Sequence, residues 1–271
     1  MEKVGLVINH NKPEAHALAL QLTEWFRARQ WEVVSDWDEI MEAQVKCLIS
    51  LGGDGTLLAT AREAAPLGLP VLGVNLGRLG FLCEIERDEI YRALEKVIRD
   101  DFQIQERLML TATVKRAERE QLQMTVLNDV VFARDPDHGI ITLQASLSGE
   151  PTVSYPADGL IVSTPTGSTA YSLSAGGPIV GPDVAAILIT PLAAHSLSAR
   201  PMVVSHQDQV EILLARGESC RVTFDGQQSM ILSPGDTVII HQSPLKALFI
   251  RLGTRSFPRV VREKLKDRWH D

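Results

Sequence analysis

The chain has 271 residues, 45% of them hydrophobic and 23% charged, the balance of a folded globular protein with room for two cores. Its net charge of −7 gives no electrostatic footprint for nucleic acid, so a polyanionic ligand must be held by local donors or a metal. Three widely spaced cysteines, Cys47, Cys83 and Cys220, fit neither a disulfide framework nor a zinc site and read as reduced, buried thiols. Met1 leads directly into the strand-like Val4-Gly5-Leu6-Val7-Ile8 without a basic n-region or apolar h-region, and no apolar run reaches membrane-spanning length. A cytoplasmic protein with no membrane partner is expected.

In chain order, the first strand is followed by a helix over residues 13–29, with Leu18, Leu22 and Trp25 at helical spacing. A second strand covers 31–35, a short polar connection 36–43 and a third, buried strand 45–51. Residues 57–65 form the next helix, 69–74 a fourth strand, and 88–99 a helix with Ile90, Leu94, Val97 and Ile98 on one side. Alternation of this kind predicts a parallel sheet with helices on its faces. The texture changes between residues 100 and 106. Beyond it, strand-like runs recur at short intervals: 108–116, 122–133, 140–147, 160–163, 186–190, 210–214, 221–224, 237–241 and 245–251. Ser148-Gly149-Glu150-Pro151 and Ser233-Pro234-Gly235-Asp236 are turns between them, which predicts an antiparallel sandwich or layered sheet. In the tail, Val261, Leu265 and Trp269 stand four apart and predict a last helix packing on the first domain.

Two stretches carry the candidate chemistry. The third strand ends in Gly52-Gly53-Asp54-Gly55-Thr56, where glycine permits positive φ and lets a phosphate or sugar approach backbone N–H groups at a helix N-terminus. Asp54 is the odd member: a carboxylate beside a phosphate is costly unless it takes a hydroxyl proton or helps to hold a cation. A strand-to-helix turn with helpful glycines is the plain alternative. The fourth strand runs into Asn75-Leu76-Gly77-Arg78-Leu79-Gly80-Phe81, and in an open α/β sheet both glycine-rich segments face the crevice at the strands' carboxyl ends. The second stretch is residues 155–178. Between Ser163 and Ser174, seven of twelve residues are Ser or Thr, more hydroxyls than a core strand spends; they suit a nucleoside-like ligand, with Tyr171 placed to stack on a base, or else form a cap cluster in a polar loop. Asn128-Asp129 interrupts a β-branched run, which is costly unless partners satisfy it, or marks a bulge or turn.

Gly52-Gly53-Asp54-Gly55-Thr56, Asn128-Asp129 and the run from Asp158 to Gly177 together resemble NAD kinase, in the family's order and over nearly the whole chain. Residues 75–81 are similar to that family's second glycine loop and Phe224-Asp225-Gly226-Gln227 to its late turn. The glycine-Asp signature alone is shared with phosphofructokinases and diacylglycerol-type lipid kinases; Thr164-Pro165-Thr166-Gly167-Ser168-Thr169-Ala170-Tyr171 is far more specific. The resemblance implies an α/β domain of NAD kinase/phosphofructokinase-like type over residues 1–103, joined by the tail 253–271, and a β-sandwich-like NAD-binding domain over 104–252.

It further implies transfer of the γ-phosphoryl of ATP, or of polyphosphate, to the 2′-hydroxyl of the adenosine ribose of NAD, with Mg²⁺ or another divalent cation and with Asp54 as general base. Gly55 and Phe81 are expected in the substrate site. Asn128 and Asp129 are expected on the adenosine moiety and Thr166 and Thr169 near the adenine. Ala170, Tyr171, Ser172, Leu173 and Ser174 are expected along the dinucleotide pocket, Asp158 toward the nicotinamide end, and Ala193 and Gln227 as further contacts. A homodimer or homotetramer is expected on the same ground. Neither a dinucleotide fingerprint nor a Walker lysine is present, and Ser243-Pro244-Leu245-Lys246 reads as a hairpin turn. A lipid kinase sharing the glycine-Asp loop and a non-catalytic NADP-sensing module are the competing functions. The hydroxyl-rich run speaks against the first, and Asp54 decides against or for the second.

Overall fold

The computed structural model describes residues 1–77, 80–196 and 199–265. Its contacts divide the chain into two units, Met1–Glu106 with Lys246–Asp271, and Arg107–Leu245.

The first unit is α/β. Its elements are β1 (Lys3–Ile8), α1 (Pro13–Arg27), β2 (Glu32–Val34), α2 (Trp37–Glu42), β3 (Leu48–Gly52), α3 (Asp54–Ala64), β4 (Val71–Asn75), β5 (Ile85–Glu86) and α4 (Ile90–Ile98). The strands stand in the order β5-β4-β3-β1-β2, all parallel. Every residue of β3 and β4 is buried, as an inner parallel strand covered on both faces requires. α1 buries Ala15, Leu18, Leu22 and Phe26, and α4 buries Ile90, Ala93, Leu94 and Val97. These side chains join Val4, Leu6, Ile49, Leu51, Leu72 and Val74 in one core, each large aliphatic contributing about 1.5–3 kcal/mol by leaving water. The connection expected over 36–43 contains helix α2, because Asp36 caps it: its side chain accepts the amides of Asp38 and Glu39.

The second unit is all-β. It contains β6 (Gln103–Arg116, from Arg107 onward), β7 (Arg119–Val126), β8 (Asp129–Arg134), β9 (Ile141–Leu147), β10 (Glu150–Ala157), β11 (Gly159–Ser163), the one-turn α5 (Tyr171–Ser174), β12 (Ala186–Leu192), β13 (Met202–Ser205), β14 (Val210–Arg216), β15 (Cys220–Phe224), β16 (Gln228–Leu232) and the first part of β17 (Thr237–Arg251). One antiparallel sheet has the order β13-β12-β11-β8-β15-β16; β10-β9-β14-β17 is a second antiparallel run, and β6 and β7 form a hairpin. Phe132, Leu160, Val162 and Phe224 from the first sheet share one core with Leu143, Ala145, Val210 and Ile212 from the second, which makes this unit a two-layer sandwich. The turn at Ser148 (φ 50°) and Gly149 (φ 89°) has the left-handed pair that a tight hairpin needs.

Several strand expectations change. β10, β13 and β16 were not marked by sequence, since β10 carries two prolines and β13 and β16 are only four and five residues long. Ser243-Pro244-Leu245-Lys246 is no hairpin: β17 runs unbroken through it. The last helix, α6 (Phe257–Leu265), buries Val260 and leaves Leu265 half exposed, so the stripe of Val261 and Leu265 is not its inner face. Trp269, the third residue of that stripe, lies outside the described residues, as do Arg78 and Leu79.

Candidate active site

β3 delivers the chain, buried along its length, to the glycine loop. Gly53 is the N-cap of α3 and Asp54 its first residue, so the carboxylate stands at the positive end of an eleven-residue helix. Positive φ is not the reason for the glycines. Gly53 has φ −138° and ψ −168°, and none of Gly52, Gly53 and Gly55 is left-handed. What they supply is space. A Cβ on Gly52 would strike the Thr56 side chain, whereas a Cβ on Gly53 or Gly55 would meet nothing within 4 Å. Two residues beside the carboxylate therefore keep clear ground that no atom of the described residues occupies, the clearance a phosphate or sugar needs to reach backbone N–H groups. Thr56 Oγ1 accepts from Asn9 Nδ2 at 3.1 Å, tying the loop after β1 to the start of α3.

The second glycine-rich segment folds onto the first. The Leu76 amide donates to the Gly52 carbonyl at 2.7 Å, and Asn75 Nδ2 to the Gly77 carbonyl at 2.7 Å. Past the two undescribed residues, three consecutive amides reach the Asp54 carboxylate: Phe81 to Oδ2 at 2.6 Å, Leu82 and Cys83 to Oδ1 at 3.2 Å each. Amides expected to face the crevice are thus spent on the chain's own carboxylate. Burial, and then the Asp54 charge and a hydrogen bond to it, push the Cys83 thiol far up. Burial above all drives Cys47 and Cys220 up to about 12, the Asp100 charge adding to the first. All three thiols are free and buried, as expected.

In the sandwich, Asn128 falls at a break. The run expected over 122–133 is two strands, because the Asp225 carboxylate accepts the amides of Leu127 (2.9 Å), Asn128 (2.8 Å) and Asp129 (3.1 Å), donors that an unbroken ladder would have used. Asp225 itself is left-handed, φ 49°, at the turn after β15. Asn128 Oδ1 is buried without a hydrogen-bond partner. Burial, and then the neighbouring Asp225 charge, push the Asp129 carboxyl up to about 7. Asn128, Asp129, Ala170, Tyr171, Thr223 and Asp225 line a cavity of about 370 Å³.

The hydroxyl-rich run divides into wiring and surface. Thr164 Oγ1 donates to the Leu127 carbonyl (2.6 Å) and accepts the Gly167 amide (3.0 Å); Ser168 Oγ donates to Pro165 O (2.6 Å) and accepts the Val180 amide (3.1 Å). Ser172, fully buried, shares its hydroxyl with Thr190 at 3.0 Å. Thr166 accepts from the buried Arg107 at 3.2 Å, and Thr169 donates to the Thr166 carbonyl. Tyr171, 49% exposed, borders the cavity just described and a second one of about 500 Å³, lined also by Arg134, Asp158, Ser174, Leu192 and Ala193. Arg134 Nε meets Asp158 Oδ1 at 2.7 Å, and its Nη1 donates to the carbonyls of Asp135, Pro136 and His138. Leu173 is partly buried, Gln227 is exposed on the turn after β15, its amide on the Phe224 carbonyl, and Ala193 is left-handed at φ 43°.

Each expected residue therefore has a place. Asp54, Gly55 and Phe81 gather in the α/β unit. Asn128, Asp129, Ala170 and Tyr171 gather at one cavity, and Tyr171, Asp158, Ser174 and Ala193 at the other. Thr166, Thr169 and Ser172 spend their hydroxyls on the chain itself, at Arg107, the Thr166 carbonyl and Thr190. Sequence reasoning gave Asp225 no role beyond its place in the late turn, and it passed over Arg134 and Arg107. Asp225, a carboxylate before glycine at a strand end, carried a readable signal; the two arginines carried none. Among the described residues, no group of three His, Cys, Asp or Glu side chains converges to hold a metal ion, and no helix is long and apolar enough to cross a membrane.

Residues 32–102 match the family model for the ATP-NAD kinase N-terminal domain and residues 127–252 that for the ATP-NAD kinase C-terminal domain. The NAD kinase of Heliobacterium modesticaldum is 42% identical, covering 98% of this chain and 99% of its own. That of Moorella thermoacetica is 40% identical, covering 98% and 90%. Among solved structures, yeast NADH kinase complexed with NADH aligns with a TM-score of 0.83 at 26% identity, over 97% of this chain and 86% of its own. An NAD kinase from Archaeoglobus fulgidus in complex with ATP shares the fold with a TM-score of 0.77, over 95% and 98%.

Proposed function

The chain belongs to the NAD kinase family, and from that premise we propose that this phosphotransferase moves the γ-phosphoryl of ATP to the 2′-hydroxyl of the adenosine ribose of NAD, giving NADP, with Asp54 as its base. In that reaction the ribose hydroxyl oxygen forms a bond to the γ-phosphorus, its proton passes to the Asp54 carboxylate, and the bond from the γ-phosphorus to the β–γ bridging oxygen breaks to release ADP. The transition state is loose and spreads charge over the transferred oxygens, so positioning and electrostatics supply most of the acceleration. The observation that carries the reading is the setting of Asp54: a carboxylate at a helix N-terminus with open ground at Gly53 and Gly55 on either side.

Asn128 and Asp129 are read as the adenosine contacts, Tyr171 as a stacking surface and Asp158, with Ser174 and Ala193, as lining the nicotinamide end; their grouping at two neighbouring cavities supports this. Thr166, Thr169 and Ser172 are read as shaping that loop from inside, with Leu173 packing beside them. Gly55 and Phe81 are read on the Asp54 side and Gln227 as a rim contact. The described residues build no cage for Mg²⁺ or another divalent cation, since both Asp54 oxygens accept amides; the cation is read as arriving on the phosphates of ATP. A cytoplasmic homodimer or homotetramer completes the reading.

Incubating the purified protein with NAD, ATP and Mg²⁺ should yield NADP. Asp54→Asn should lower kcat by about 10²–10⁴ with NAD affinity within about tenfold of the parent. Normal turnover by that variant would remove Asp54 from the role, and no turnover by the parent would favour a sensing module.

A further inference from the structure

Residues 80–83 converge on one carboxylate. The Phe81, Leu82 and Cys83 amides donate to Asp54, and a Cβ on Gly80 would overlap its carboxylate atoms. Successive N–H groups converging on an anion form a nest, a device usually offered to an external phosphate. Here the chain's own side chain fills it. Both Asp54 oxygens are engaged, which fixes its side-chain rotation as well as its place.

The nest is itself fixed at its far end. The Glu84 amide donates to the Gly73 carbonyl in β4 at 3.1 Å, and a Cβ on Gly73 would stand 3.2 Å from Cys83 Cα. The buried Glu84 carboxylate then accepts Arg251 Nη1 (2.8 Å), the Leu252 amide (2.9 Å) and Thr254 Oγ1 (3.2 Å). Arg255 reaches Glu86 at 3.0 Å. The segment behind Asp54 is thus tied to the returning C-terminal chain, so the carboxylate inherits the rigidity of the α/β unit.

We propose that residues 80–83 are the positioning element for Asp54 in phosphoryl transfer, Gly80 by leaving room for the carboxylate and Phe81, Leu82 and Cys83 by the hydrogen bonds of their amides. This rests on Asp54 being the base. It assigns the second glycine-rich segment a task other than holding phosphate: it sets the angle from which the carboxylate meets the hydroxyl.

The test measures kcat and KM for NAD and ATP, with melting temperature, for Gly80→Ala, Glu84→Gln and Asp54→Asn. A displaced carboxylate predicts a fall in kcat of about a hundredfold for Gly80→Ala with both KM values held within about threefold. Glu84→Gln, which weakens the anchor behind the nest, should lower kcat about tenfold in the folded protein. Losses that appear in KM alone would overturn the inference, as would a folded Gly80→Ala protein with parental kcat. Should Gly80→Ala not fold, Glu84→Gln decides, and parental kcat in that variant would overturn the inference. Parental turnover by Asp54→Asn would sink the base assignment and this inference together; an inactive Asp54→Asn beside fully active Gly80 and Glu84 variants would sink this inference alone.

Discussion

Asp225 and Asp129 are bonded to each other in both directions: the Asp129 amide donates to Asp225 Oδ1 at 3.1 Å, and the Asp225 amide donates to the Asp129 carbonyl at 3.0 Å. The two side chains nevertheless do different work. Asp225 spends its carboxylate on three backbone amides and holds the break between β7 and β8 open, while Asp129 borders the cavity beside Tyr171.

Asp225→Ala should therefore cost stability first. It strands three amides, each worth about 1–3 kcal/mol when buried and unsatisfied, and it removes a residue type that tolerates φ 49°. Asp225→Asn keeps one acceptor oxygen and the left-handed tolerance, so its loss should be smaller. Urea unfolding of the two variants checks the order; equal losses would mean that the carboxylate bonds are not what holds the break.

Asp129 predicts a pH dependence. Its folded carboxyl is raised to about 7 by burial and then by Asp225, against an unfolded value of about 3.9. A raised group makes its contribution in full below the unfolded value and loses it as pH rises through the folded one. The folded state should lose stability between about pH 4 and 7 and level off above. Asp129→Asn, which does not titrate, should flatten that part of the profile in melting experiments at matched salt. A variant profile as steep as the parent's would assign the slope to another group.

Gly53→Ala separates clearance from conformation. Its backbone, φ −138° and ψ −168°, suits alanine, and the added Cβ meets no protein atom within 4 Å. Stability should stay within about 1 kcal/mol, since the weaker N-cap is offset by a stiffer unfolded chain. kcat/KM for ATP should nevertheless drop. An unchanged ATP dependence would show that no ligand uses the ground beside Asp54.

Glu84→Ala leaves the Arg251 guanidinium, whose side chain is 19% exposed, without its carboxylate, and it also orphans the Leu252 amide. Breaking a buried pair by removing one partner costs about 3–5 kcal/mol. Thermal melting should show it directly. If the C-terminal tether also steadies Asp54, kcat of the folded fraction should fall with it.

The sequence by itself determined the local and periodic features. Buried parallel strands read as continuous apolar runs, helices as spaced leucines, and the sandwich as short runs between turns, because burial dictates residue type along each element. The motifs at residues 52–56, 128–129 and 158–177 were legible for the same reason: glycine, carboxylate and hydroxyl clusters have few other uses. Tertiary structure decided what each of those groups spends its bonds on. Sequence offered glycine at 53 and 55 both for φ and for the close approach of a ligand, and the folded chain uses only the second. It treated the run of hydroxyls as a ligand surface, and the folded chain uses Thr164, Ser168 and Ser172 to wire the loop while exposing Tyr171. Sequence turned residues 52–56 and 75–81 toward one crevice, but nothing along the chain joined Asp54 to the amides of 81–83, or Asp129 to Asp225, since a hydrogen bond between residues 27 to 96 positions apart leaves no periodic trace. A backbone amide donates whatever its side chain, so the nest around Asp54 has no residue signature beyond the glycine that makes room for it.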